Sequence, residues 1–163
     1  MRDGVTYLRN FIFGVEDSLV STVGLLSGVA IAGVARETIL LTGIVLIFVE
    51  AFSMAAGSFL SETSAEEFTT KREAVASRSF LSGAVMFGSY FFAGFIPLLP
   101  YLIVEGAAAF PLSIAASVFA LFVLGLVSGA VAKTRLLKNA FRMTLVGGIA
   151  IAVGVTVGSY LNY

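Results

Sequence analysis

Cysteine and histidine are absent from this sequence, and charge is scarce. Without cysteine there is no disulfide framework and no thiolate metal site. Without histidine the chain lacks the commonest transition-metal ligand and the usual proton carrier near neutral pH. Ser–His and thiol nucleophiles are excluded with them. Ten Lys and Arg balance ten Asp and Glu, so there is no basic footprint for nucleic acid. Only 12% of residues are charged and 58% are hydrophobic, whereas a soluble domain has about 25% and about 45–50%. This is the composition of a membrane protein.

What is present is a series of long apolar runs. A helix needs roughly 20 mostly apolar residues to cross a bilayer, and five segments qualify: Phe11–Val34, Thr38–Ser61, Ser79–Val104, Phe110–Ala132 and Ala140–Asn162. The expected fold is therefore all-α, a polytopic membrane protein with five transmembrane helices in one domain over residues 1–163. No small-residue cleavage site follows a short apolar core, so no cleaved signal peptide is expected. The turn "ARE" at Ala35–Glu37 is short enough to predict a tight antiparallel pair of spans one and two.

Lys and Arg favour the cytoplasmic side of a membrane. Arg2, Arg9, Lys71, Arg72, Arg78, Lys133, Arg135, Lys138 and Arg142 fall on one side of a five-span topology, and Arg36 alone on the other. This bias predicts the N-terminus inside and the C-terminus outside, with Tyr160 and Tyr163 in an outer aromatic belt. Gly24/Gly28, Gly125/Gly129 and Gly154/Gly158 recur at the spacing that lets helices approach closely in lipid. That spacing serves packing within one copy or contact between copies equally well.

Acids stand inside two of these apolar runs. Asp17 lies about 9 Å into span one at ~1.5 Å per residue. Counted back along span two, Met54 reaches a similar depth, and Glu50 lies about one turn deeper. Glu50, Met54, Ser58 and Glu62 share a helical face. A carboxylate at such depth costs at least about 2.5–3.5 kcal/mol on insertion scales. A chain keeps one there when it faces protein, water or an ion. Carboxylates beside a thioether suit a cation: oxygen favours hard divalents, and sulfur leans toward softer metals. Weak, exchangeable binding suits transport, because the ion must also leave. Low dielectric disfavours the charged acid, so a proton could replace the departing metal. Glu16 points about 100° away from Asp17 and either snorkels or joins the site.

After span two comes an acidic connection, "SETSAEEFTTKREAVASRS", Ser61–Ser79. No Gly or Pro occurs between Gly57 and Gly83, so the second helix is expected to run past the membrane surface. Glu62, Glu66 and Glu73 have the spacing of one helical face. They would form an acidic collar that raises the local cation concentration. Glu67 precedes Lys71 by four residues, the favourable order for a helical ion pair. Pro97 and Pro100 interrupt the backbone ladder of span three, and a packing role is expected for them.

At "FGVEDSLVSTVGLLSGVA", "EAFSMAAGSFLSETS", "IPLLPYL" and "GAVAKTRLLKNAFRMTLVGGIAIAVGVTVG" the chain resembles the vacuolar iron transporter family. The family pattern "DG" in span one reads "DS" here, at Asp17–Ser18. The resemblance implies a five-span homodimer with a metal path between protomers. It implies movement of iron(II) or manganese(II) out of the cytosol in exchange for protons, no resident cofactor and no enzymatic activity. It places the family's intramembrane acid on Asp17 and its methionine on Met54. Larger members carry a cytoplasmic metal-collecting helical domain between spans two and three. Here that connection is only Ser61–Ser79 and holds no Met, so Glu62, Glu66 and Glu73 would be its reduced form. The expected location is a prokaryotic cell membrane. The residues also leave open a passive divalent-cation channel and a non-transporting assembly subunit. An Asp17–Glu50 dyad is the hydrolytic arrangement the composition still permits.

Overall fold

The computed structural model describes residues 2–161, with side chains from residue 4 onward. The chain is five long helices, and no strand occurs among the described residues. They are α1 (Arg2–Ile31), α2 (Arg36–Thr70), α3 (Ala76–Ile103), α4 (Ala109–Val131) and α5 (Leu136–Leu161). All five are long and apolar enough to cross a membrane. The expected aromatic position Tyr163 lies outside the described residues, and Tyr160 is exposed near the end of α5.

Local chemistry sets the ends. α1 stops where Gly33 adopts φ 72°, a conformation that a side chain disfavours. α2 stops at Lys71, which takes φ 55° while its N–H caps Glu67 O. α2 has 35 residues, about 52 Å at ~1.5 Å each. The hydrocarbon core is about 30 Å thick. The helix therefore overshoots the core, as the absence of Gly and Pro predicts, and the excess carries Glu62, Glu66 and Glu67.

α1 and α3 form the centre. The buried face of α3 runs from Ser79 through Met86, Tyr90, Gly94 and Pro97 to Tyr101. α2 packs on α3, α5 packs on α1, and α4 closes against α5. α1 and α2 run antiparallel as expected, with Asn10 near Ser58 and Leu26 near Gly43, but the pair is looser than expected, because α1 and α2 each pack more extensively on α3. The short turn fixes where α2 begins, but apolar contact is found on α3. There Ile47 fits against Gly94, and Phe48 meets Phe91 edge-on at 5.0 Å.

The small residues are used within the protomer. A Cβ on Gly28 would lie 2.7 Å from Gly154 O, and Cβ atoms on Gly154 and Gly158 would collide with Gly24 O and Gly28 O. Gly125 and Gly129 likewise give room to Ala140 and Leu136 of α5. Pro97 and Pro100 lie inside α3 and are buried. The carbonyl of Pro97 accepts a hydrogen bond from Ser113 Oγ of α4 at 2.6 Å.

Candidate metal centre

Three contact layers fix the register of α1, α2 and α3. In the first, Asn10 Nδ2 donates to Ser58 Oγ at 2.9 Å and to Ser82 O at 3.4 Å. In the second, Gly14 faces Met86 and Ser89, while Met54 and Met86 line one cleft. In the third, Ser18 Oγ donates to Tyr90 O at 2.6 Å, and Ser21 Oγ lies 2.7 Å from the Tyr90 hydroxyl. The layers are about four residues apart on each helix, one helical turn.

The third layer holds the two intramembrane acids. The carboxylates of Asp17 and Glu50 are near enough to interact electrostatically, and both also act on Tyr90. Asp17 and Glu50 are half-buried, and Tyr90 is fully buried. This register corrects the depths counted from the sequence. Glu50, not Met54, stands level with Asp17, and Met54 belongs one turn nearer the end that carries Arg9. Counting depth from the end of the apolar run near Ser61 misplaces the level, because α2 continues unbroken to Thr70.

The acids thus sit where three helices meet, and each helix has a reason to be there. Ser18 and Ser21 follow Asp17 within one turn of α1 and grip α3 by its backbone and its tyrosine. Gly94 admits both Ile47 and Ser18, which brings α1, α2 and α3 together just beyond the acids. Ser21 also borders an apolar groove between α1 and α5, along with Gly24, Gly28 and Gly154. That groove begins one turn along α1 from Asp17.

The acidic collar is only partly assembled. Glu62 and Glu66 line a cavity of about 570 Å³ with Tyr7, Thr69, Arg78 and Ser82. The Ser82 hydroxyl there is buried and has no hydrogen-bond partner. Glu62 also pairs with Arg9 at 3.7 Å. Glu73 does not share their helical face, because α2 ends at Thr70 and Glu73 lies in the following loop, exposed. The expected Glu67–Lys71 pair is replaced by a backbone cap and by the Lys71 ammonium, 4.3 Å from the Phe68 ring centre. Glu16 is half-buried and lines neither this cavity nor the Met54 cleft. Among the described residues no three acids converge on one point. Asp17 and Glu50 are a pair, and a cation held by carboxylates there needs further donors.

Tyr90 and Met86 are site residues that the sequence did not disclose. Each reads as one more apolar residue in "GAVMFGSYFFAGF". The faint signal was the spacing of four between them, matching that between Glu50 and Met54.

Comparison with known proteins matches the chain to the family model described as VIT family, over residues 8–81 and 69–159. The chain is also similar to Vacuolar iron transporter 1 of Arabidopsis thaliana, with 33% identity over 76 residues. Those residues are 46% of this chain and 30% of the plant protein, so the match takes in less than a third of the relative's own length.

Proposed function

The chain belongs to the VIT family, and from that premise we propose that it moves divalent metal ions across a membrane. The path runs between two copies of the chain at the level of Asp17 and Glu50. One observation carries this reading. Two carboxylates on neighbouring membrane-spanning helices, Asp17 and Glu50, are half-buried and close enough to act on one another, and Ser21, one turn along α1 from Asp17, borders an outer groove. Lipid is a poor neighbour for such a pair. A second copy laid there would cover the pair and contribute the additional oxygen donors that one protomer lacks.

In this reading Asp17 and Glu50 hold the ion as it passes, and Met54 adds sulfur one turn away. Glu16 joins when the second copy is present. Glu62 and Glu66 concentrate cations at the basic end, with Glu73 contributing charge from the loop. The cargo is iron(II) or manganese(II), moved out of the cytosol of a prokaryotic cell. Protons return in exchange, each carboxylate taking one when the metal departs. The chain is a carrier and catalyses no covalent step.

The test is flux in proteoliposomes. Iron(II) and manganese(II) should enter vesicles with an acidic lumen, and the flux should stop when a protonophore collapses the gradient. Flux that ignores the gradient would make the protein a passive channel. No flux at any pH, from protein that is folded and dimeric, would leave an assembly subunit.

A further inference from the structure

The cleft between α1, α2 and α3 has sulfur on two of its walls. Met54 of α2 and Met86 of α3 line one space of about 650 Å³. The chain has four methionines, and two of them meet here. Met86 is only 3% exposed. Its thioether occupies the place that α1 leaves free at Gly14, where a Cβ would lie 3.2 Å from Met86 Sδ. Both methionines stand one turn from the carboxylate layer: Met54 is four residues from Glu50, and Met86 is four residues from Tyr90.

The remaining wall offers oxygen. Asn10 directs its amide nitrogen to Ser58 Oγ and Ser82 O. Its two amide hydrogens are thereby used, and its carbonyl oxygen is the group with acceptor capacity on this wall. Arg9 also lines the cleft and is drawn toward Glu62. A cation leaving the acidic collar for the Asp17–Glu50 pair would cross this space.

A core methionine serves as a flexible filler against apolar neighbours. Two methionines lining one cleft can do something more, because sulfur ligands favour softer metals and oxygen ligands harder ones. We infer that Met86 is a second sulfur donor of this cleft, and that Met54 and Met86 together favour softer divalent ions over manganese(II) and magnesium(II). The inference rests on the transport reading above and adds to it a residue on α3 that sets metal preference.

Competition between metals tests it. Purified protein is reconstituted, and flux is compared for cobalt(II), iron(II) and manganese(II) in the wild type and in Met86→Leu. Metal-dependent thermal stabilisation is measured in parallel with cobalt(II) and magnesium(II). Met86→Leu should lower the cobalt(II)-to-manganese(II) flux ratio, because cobalt(II) gains more from a sulfur donor than manganese(II) does. Norleucine incorporated for methionine, which replaces sulfur by a methylene, should lower that ratio further and serves if Met86→Leu does not fold. An unchanged ratio in folded variants overturns the assignment while leaving transport intact. Cobalt(II) stabilisation that Met86→Leu abolishes, in a protein that moves no ion, keeps the cleft and overturns the transport reading. Neither flux nor stabilisation in the wild type overturns both.

Discussion

Ser18 Oγ donates to the backbone oxygen of Tyr90 at 2.6 Å, one residue along α1 from Asp17. Ser21 then meets the hydroxyl of the same tyrosine at 2.7 Å. Two bonds from one turn of α1 therefore hold α3 beside the acid pair. Within lipid the polar groups gain most by bonding one another, and such interhelical bonds act as positional pins. The carboxylate of Asp17 is set in place by its sequence neighbours rather than by a salt bridge.

Ser18→Ala should therefore lower stability by about 1 kcal/mol, the usual net worth of one hydrogen bond. Tyr90→Phe should cost a similar amount, since it keeps the buried ring and loses only the Ser21 contact. Thermal unfolding in detergent measures both. If the pins position Asp17, each variant should also slow metal flux more than its small stability loss explains.

Asp17→Asn and Glu50→Gln remove charge and keep shape. Metal flux should fall by at least the order of 10–100-fold that loss of supporting groups at a metal site costs. Stability should hold or rise, because a neutral amide is cheaper than a carboxylate at that depth. Flux assays beside thermal melts separate the two effects. Full activity in both variants would move the path elsewhere.

The five spans are legible in the sequence because a run of about 20 apolar residues matches the thickness of a bilayer. Asp17 and Glu50 stand out for the complementary reason, as charges inside such runs. The register between helices does not show, because hydropathy is nearly unchanged when one helix slides a turn along another. A count along the sequence therefore places Met54 at the level of Asp17, where Glu50 stands. Spacing alone puts Glu73 on the α2 face for a related reason: the Lys71 turn that ends α2 uses a left-handed residue that is neither Gly nor Asn. The turn at Ala35–Glu37 is short in the sequence, yet its two helices do not pair closely, because α3 offers α2 the better-fitting surface.

The collar acids should act through charge more than through geometry. Glu62→Gln and Glu66→Gln are expected to weaken the apparent affinity for metal, with maximal flux little changed. The effect should fade as salt shortens the Debye length to about 8 Å at physiological ionic strength. Glu73→Gln, exposed in the loop beyond α2, should do less. The Arg9–Glu62 pair is partly exposed and 3.7 Å long, so breaking it should cost about 0–1 kcal/mol. Flux against metal concentration at two ionic strengths checks the set. Equal effects from all three glutamates would mean a diffuse field and no collar cavity.

The α1–α5 contact makes the sharpest structural prediction. A methyl group on Gly154 would collide with the backbone oxygen of Gly24, and one on Gly158 with that of Gly28. Backbone cannot rotate out of the way as a side chain can, so the helices must part. Overpacking of this kind costs about 1–3 kcal/mol or more. It also removes close contacts over a turn or more, where packing rather than hydrophobicity holds helices together in lipid. Gly148 lies on the same helix with nothing within 4 Å of a built Cβ, and Ala there should be neutral or better by up to about 1 kcal/mol. Gly154→Ala, Gly158→Ala and Gly148→Ala, compared by thermal unfolding, should separate cleanly. A Gly154→Ala protein as stable as Gly148→Ala would show that α1 and α5 do not cross at Gly24 and Gly154.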